Sequence, residues 1–179
     1  MELNNTAQRY GLISQLFHWV MALLVIGLIV IGLYMVRLPI NAWKLKLYGL
    51  HKEWGVLVLM MVALRLLWRF TQISPEYPLH MPLWQKLAAK SVHVAFYFFL
   101  FALPISGWML SSASGLPVSF FGLFVMPDLV GPNQALRELL TQVHKWLGYG
   151  LIAALGAHVG AALQHHFIHK DDILRRMLP

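Results

Sequence analysis

The first long apolar stretch of the chain, residues 17–36, reads FHWVMALLVIGLIVIGLYMV and decides the fold. It holds no Asp, Glu, Lys or Arg, and none occurs anywhere between Arg9 and Arg37. About 20 apolar residues are enough for a helix to cross a bilayer. The stretch is also too long for the apolar region of a cleavable signal peptide. It therefore predicts a transmembrane helix over 13–36.

Three further apolar stretches follow along the chain. The second is the least apolar of the four, because Lys52 and Glu53 lie at one end and Arg65 lies near the other. A stretch rich in glycine and proline, 115–131, predicts an interfacial loop between the last two spans. We expect one all-α domain over 1–179, an integral membrane protein built as a four-helix transmembrane bundle. The remaining spans are predicted at 49–70, 90–112 and 143–167.

The composition agrees with a membrane protein. Hydrophobic residues make up 59% of the chain and charged residues 12%, against about 25% charged in soluble domains. The chain has no cysteine, which excludes disulfides, iron–sulfur clusters and covalently attached c-type haem. The net charge of +7 favours basic loops facing lipid headgroups or an anionic substrate, and we expect no nucleic-acid partner.

Four spans place both termini on the same side of the membrane. The terminal side carries more basic residues than the opposite side, which predicts cytoplasmic termini by the positive-inside rule. Its Lys and Arg residues are Arg9, Arg65, Arg69, Lys86, Lys90, Lys170, Arg175 and Arg176. The opposite, outer side holds Arg37, Lys44, Lys46, Lys52, Arg137 and Lys145.

Four of the nine histidines fall at depths that form two pairs. His158 lies 14 residues after His144, which is about 21 Å along a helix and nearly four whole turns, so both side chains point the same way. His51 begins the second span on the outer side, level with His144, and His18 lies near the inner side, level with His158. Neutral imidazole is an axial ligand of haem iron, and two imidazoles fill both axial positions. The pattern predicts two haems stacked across the bundle.

Other residues near these depths have two interpretations each. Arg65 lies level with the inner pair, where its guanidinium would meet a haem propionate; the alternative is an interface residue that reaches towards water. Gly32 lies level with the outer pair, where a missing side chain leaves room for a macrocycle. His80 and His93 are interpreted as histidines hydrogen-bonded to a neighbouring helix.

These features resemble the bacterial cytochrome b561 proteins, which are four-helix, di-haem cytochromes linked to quinones. The resemblance covers nearly the whole chain. It rests on FHW (17–19), LHKEWG (50–55), LRLLWR (64–69), ALPISGW (102–108) and, most specifically, HKWLGYGLIAALGAHVGAALQHHFIHKDDILRRMLP (144–179).

The resemblance implies a set of ligands and an activity. Superoxide would be oxidised at the periplasmic face of the bacterial inner membrane, and electrons would pass through two haem b groups to ubiquinone. His165, the first histidine of the HH pair, is implied in the quinone site. Phe167 stands where family members often carry Tyr, so a phenolic hydrogen bond is not available there. The implied axial ligands are His18, His158 (inner haem), His51 and His144 (outer haem).

The basic outer surface would attract a small anion such as superoxide, and the same charges would suit anionic lipid headgroups equally well. Two other functions remain open. One is the cytochrome b subunit of a larger quinone-linked dehydrogenase or hydrogenase, although a protein partner is not required. The other, of a different class, is a non-haem transporter with a histidine proton relay. The residues interpreted as steering superoxide are Lys44, Lys46, Lys52, Arg137 and Lys145.

Overall fold

The computed structural model describes residues 2–78 and 81–178, so His80 lies outside the described residues. Four long helices dominate this part of the chain, and one short antiparallel hairpin connects the third helix to the fourth. The elements are α1 (Leu12–Met35), α2 (Ala42–Phe70), α3 (Leu83–Ala113), β1 (Val118–Phe120), β2 (Phe124–Met126), α4 (Gln134–Gln164), a π-helical turn (His165–His169) and a 3₁₀ turn (Arg175–Met177).

Three of the helices begin before the spans predicted from hydropathy. α1 agrees with its prediction to within one residue, but α2, α3 and α4 start seven to nine residues early. The Asn41 side chain accepts the N–H of Lys44 at 2.8 Å, and the Asn133 side chain accepts the N–H of Leu136 at 2.9 Å. Asparagine is a preferred N-cap residue. The cap, and not the edge of the apolar stretch, therefore sets where α2 and α4 begin.

The helices form a bundle in which α2 packs on α1 and α3, and α4 packs on α3. By length and composition, three helical segments are suited to cross a membrane: Leu12–Met35, Leu83–Ala113 and Gln134–His169. α2 is less apolar, because charged residues such as Lys52, Glu53 and Arg65 interrupt it. The predicted four-helix architecture is confirmed, and the crossing by α2 stays a prediction.

The centre of the bundle is packed by apolar side chains from α1, α2 and α3. On the other side of α3, a Cβ at Gly150 would lie 2.8 Å from the Phe99 ring, so glycine allows α4 to approach α3 closely. Lipid tails are as apolar as these side chains, so close packing holds the helices together here. The buried core residues are Met21, Val58, Val62 and Leu100.

The stretch predicted as an irregular loop contains the hairpin. Phe121 and Gly122 have φ values of 49° and 72°, and two positive values in succession are typical of a type I′ turn. The Lys52 ammonium on α2 donates to the Pro117 carbonyl at 2.7 Å and to the Ser111 hydroxyl at 3.2 Å. Strands of three residues are too short to show alternation in sequence. We call this end of the bundle the hairpin end.

The two terminal segments meet at the opposite end, which we call the terminal end. Gln15 is buried, and its amide donates to the carbonyls of Tyr10 and Leu178 at 3.0 and 3.1 Å. The indole of Trp19 donates to the carbonyl of Met177 at 2.8 Å. The start of α1 is therefore joined to the C-terminal residues through polar contacts.

Candidate functional site

Near the hairpin end, His51 on α2 and His144 on α4 lie with their ring centroids 6.2 Å apart. Nδ1 of His144 is 3.0 Å from the hydroxyl of Ser106, which donates to the Leu103 carbonyl at 2.9 Å. A serine hydroxyl has one proton, so Oγ accepts the Nδ1–H of His144. Nε2 of His144 therefore keeps its lone pair for a ligand.

Both of these rings lie directly against a glycine. A Cβ at Gly32 would lie 3.2 Å from Cε1 of His51, and a Cβ at Gly107 would lie 3.1 Å from Cε1 of His144. Each distance is shorter than an ordinary van der Waals contact. Gly32 was expected to leave room for a macrocycle, which stays a prediction; the structure shows that it leaves room for the imidazole of His51.

Near the terminal end, three histidine rings come together instead of two. His158 on α4 lies 6.0 Å from His18 on α1 and also 6.0 Å from His93 on α3. The ring of Phe96, on the same side as His93, is 5.3 Å from His158. The ring of His158 therefore has a histidine neighbour on α1 and another on α3, at equal distances.

His93 is a residue whose position the sequence analysis missed. It was interpreted as a histidine hydrogen-bonded to a neighbouring helix, yet its ring is as close to His158 as that of His18. Its depth in the membrane could have indicated this position. His93 lies three residues after Lys90, which was counted on the terminal side, so it is close to the level of His158.

The two groups of histidines stack along α4. This helix is unbroken from Gln134 to Gln164, so His144 and His158 are about 21 Å apart along its axis. Within the described residues, no three His, Asp or Glu side chains cluster as ligands of a bare metal ion. The imidazole rings, two at the hairpin end and three at the terminal end, suit a metal whose remaining ligands come from a macrocycle.

Arg65 borders a polar pocket at the terminal end, which is also lined by Arg69, Tyr10, Ser14 and Tyr97. No carboxylate among residues 2–78 and 81–178 forms an ion pair with Arg65. Burial raises the pKa of Tyr10, so its hydroxyl stays protonated at neutral pH. Two guanidinium groups beside neutral hydroxyls suit a carboxylate ligand.

His165 begins the π-helical turn that ends α4. Its Nδ1 lies 2.5 Å from Oδ2 of Asp171, and both side chains are largely buried. Lys170, between them, adopts a left-handed conformation with φ 54°. Asp171 was not identified from the sequence, because its approach to His165 depends on this reversal of the backbone.

The five basic residues interpreted as steering superoxide all lie towards the hairpin end, but they differ in what they contact. The side chains of Lys44 and Lys52 donate to backbone carbonyls at 2.7 Å each. Lys46, Arg137 and Lys145 are exposed. Lys52 and Lys145 directly follow the two histidines of the hairpin-end pair.

Comparison with known proteins identifies the family. The family model described as prokaryotic cytochrome b561 matches residues 9–179. The chain is 41% identical to cytochrome b561 homolog 2 of Escherichia coli (strain K12), over 99% of this chain and 95% of that protein. It is 39% identical to cytochrome b561 homolog 1 of the same organism, over 72% of this chain and 73% of that protein.

A third relative has a name that describes an activity. The chain is 31% identical to a Yersinia pestis protein named "Probable superoxide oxidase CybB", over 73% of each chain. The matches confirm the resemblance recognised in the sequence motifs, and the family implies b-type haem as the cofactor. The chain belongs to the prokaryotic cytochrome b561 family of membrane electron-transfer proteins.

Proposed function

We propose that the chain is a di-haem cytochrome of the bacterial inner membrane that oxidises superoxide at the periplasmic face and reduces ubiquinone. Its hairpin end faces the periplasm, and its terminal end, with both termini, faces the cytoplasm. The whole chain acts as one domain with four spans. When bound, the two haems supply one-electron transfer through the bundle.

The spacing of the imidazole rings carries the proposal. Two imidazoles that bind one metal ion from opposite sides have centroids about 6 Å apart, because a metal–imidazole bond is about 2 Å long and the ring centre lies about 1 Å beyond the nitrogen. The observed separations of 6.2 Å for His51 with His144, and 6.0 Å for His18 with His158, fit this requirement. His93 also lies 6.0 Å from His158, and the family resemblance favours His18 over it. These four histidines would hold the outer and inner haem.

The surrounding residues support the same assignment. The hydroxyl of Ser106 orients His144, and the absence of a side chain at Gly32 and Gly107 gives both outer rings their space. In the polar pocket at the terminal end, Arg65 would bind a haem propionate. Such groups around a ligating histidine commonly fix its tautomer and orientation.

Two observations favour superoxide as the electron donor: the basic surface at the hairpin end and the name of one relative. A small anion is drawn to a basic surface, and such fields raise association rates by about 10- to 1,000-fold. Lys46, Arg137 and Lys145 are exposed at the hairpin end, and Lys145 directly follows His144. The relative from Yersinia pestis, which carries the name of a superoxide oxidase, supports the same substrate.

Ubiquinone would bind at the terminal end, near His165. This residue lies seven positions, or about 10.5 Å along the axis, after His158. Its ring is largely buried and paired with Asp171. A quinone headgroup there would be close to the inner haem and would accept a hydrogen bond from the imidazole.

Spectroscopy and rapid mixing test the proposal on the purified protein. A reduced-minus-oxidised spectrum should show two b-type haems per chain. Superoxide should then reduce them in a stopped-flow experiment with no protein partner present, and ubiquinone should reoxidise them. A protein without haem absorbance would be the histidine-relay transporter instead. Haem that superoxide does not reduce would favour a subunit of a larger dehydrogenase or hydrogenase.

A further inference from the structure

The proposed function leaves a buried carboxylate at the terminal end unused. The side chain of Asp171 is only 6% exposed, and its Oδ2 lies 2.5 Å from Nδ1 of His165. Its Oδ1 accepts the N–H of Ile173 at 3.1 Å. One carboxylate oxygen is therefore held by the backbone and the other by the imidazole. A carboxylate in this relationship fixes the tautomer and the orientation of a histidine ring.

The backbone is shaped to bring the two residues together. If α4 continued as an α-helix, Asp171 would lie about 9 Å further along the axis than His165. Instead, the π turn widens the last turn of the helix and the left-handed Lys170 reverses the chain. The N–H groups of Lys170 and Asp171 then both donate to the carbonyl of His165. Such π turns occur frequently at functional sites.

We propose, on the basis of the quinone-reducing function above, that Asp171 is a positioning residue that holds His165 as the proton donor to the bound quinone. Because Asp171 accepts the Nδ1–H, Nε2 is the ring nitrogen that remains for a ligand. The carboxylate also stabilises the imidazolium that exists between proton uptake and proton delivery.

The proton and electron balance of the step is complete. Two superoxide ions each lose one electron and leave as O₂, and ubiquinone takes up the two electrons and two protons to become ubiquinol. When His165 delivers a proton, the Nε2–H bond of the imidazolium breaks and an O–H bond forms at a quinone carbonyl oxygen. A proton from water at the terminal end then restores the Nε2–H bond.

Asp172 provides a matched control beside Asp171. Its side chain is 58% exposed and pairs with Arg176 at 2.9 Å, whereas the side chain of Asp171 pairs with His165. The same substitution at either residue removes one carboxylate from the same segment. Asp171→Asn keeps the size and one hydrogen-bond acceptor of the side chain but removes its charge, and Asp172→Asn does the same one residue later.

The test separates proton delivery from electron delivery. The haems of the purified protein are reduced with dithionite, and their reoxidation is then followed after mixing with ubiquinone or with ferricyanide, which accepts electrons without protons. Asp171→Asn should slow reoxidation by ubiquinone at least about 10-fold, since general acid catalysis contributes about 100- to 10,000-fold. Ferricyanide should reoxidise this variant at the rate of the wild type. Asp172→Asn should match the wild type with both acceptors.

Two results would overturn the role of Asp171. One is an unchanged rate with ubiquinone in Asp171→Asn, and the other is equal slowing with ferricyanide, which would place the defect in electron delivery. The double variant with His165→Gln should be no slower than His165→Gln alone, because the two residues act as one unit. If Asp171→Asn does not retain haem, Asp171→Ser replaces it, since a hydroxyl can still accept the Ile173 N–H.

The failure of the quinone function itself is distinguishable. A wild-type protein that ubiquinone does not reoxidise would overturn both that function and the role of Asp171. An active wild type with a neutral Asp171→Asn variant would overturn only the latter. Because dithionite reduces the haems in this experiment, neither outcome depends on whether superoxide is the electron donor.

Discussion

Nδ1 of His144 lies 3.0 Å from the hydroxyl of Ser106, and that hydroxyl donates its proton to the carbonyl of Leu103. A residue on α3 therefore determines which nitrogen of a histidine on α4 is free to bind a ligand. This hydrogen bond joins α3 to α4, and the two helices also pack against each other. The packing of the bundle therefore fixes the orientation of the His144 ring.

Replacing Ser106 with alanine should weaken the outer haem site. Loss of a hydrogen bond to a ligating histidine commonly lowers metal affinity by about 10- to 100-fold. We expect Ser106→Ala to be purified with less haem at the outer site, measured as haem per chain in the visible spectrum. Ser114→Ala is the control, because the Ser114 hydroxyl bonds only to the Leu110 carbonyl of its own helix. Equal haem loss in both variants would argue against a specific role for Ser106.

Alanine substitutions of the four paired histidines should each remove one haem and leave the other. His51→Ala and His144→Ala should give the same spectrum, which retains the inner haem, and His18→Ala and His158→Ala should give the complementary one. The haem-to-protein ratio and the position of the remaining absorption band measure this. Matching spectra for His18→Ala and His144→Ala would show that the pairing is wrong.

His93→Ala tests which neighbour of His158 is the ligand. We expect this variant to retain both haems, because the cytochrome b561 motifs favour His18, and not His93, as the partner of His158. It should lose stability through the cavity that a missing ring leaves between the helices. Loss of the inner haem in His93→Ala, with its retention in His18→Ala, would exchange the two assignments.

Gly32→Ala should displace His51, because the new Cβ would lie 3.2 Å from Cε1 of the ring. Overpacking of this kind costs about 1–3 kcal/mol. We expect a lower thermal midpoint and loss of the outer haem. Gly27→Ala, on the same helix, is the control, since a Cβ there meets nothing within 4 Å. A Gly32→Ala protein with full haem content would contradict the close contact.

Neutralising exposed charge at the hairpin end should slow the reduction by superoxide. The variant changes three residues to glutamine: Lys46, Arg137 and Lys145. We expect the association rate to fall about 10-fold at low ionic strength and its salt dependence to flatten. Stopped-flow mixing at several salt concentrations measures both. The control neutralises three residues at the terminal end: Lys86, Lys90 and Arg175. A loss of the same size in this control would show that net charge alone is responsible.

Much of the bundle could be predicted from the sequence, because periodic spacing in a helix translates directly into depth. The 14-residue interval between His144 and His158 indicated which rings would meet, and the rings of His51 and His18 lie about 6 Å from them. Their role as haem ligands stays a prediction. The first residues of the helices could not be predicted from hydropathy, because Asn41 and Asn133 cap α2 and α4 outside the apolar stretches.

Features that depend on tertiary structure could not be read from spacing. Asp171 reaches His165 only because Lys170 takes a left-handed conformation, and no local pattern indicates that reversal. Lys52 was interpreted as one of the residues that steer superoxide, and its ammonium donates to the Pro117 carbonyl in the segment leading into the hairpin. In each case the contact depends on a partner that no local pattern in the sequence indicates.

The contact between Trp19 and the Met177 carbonyl joins residues 158 positions apart. During synthesis, the first helix therefore enters the membrane long before its polar partners exist. Until residues 176–178 emerge, the buried amide of Gln15 must bond to water or to other groups. The polar contacts that join the two terminal segments can therefore form only after the last helix and the C-terminal residues have been made.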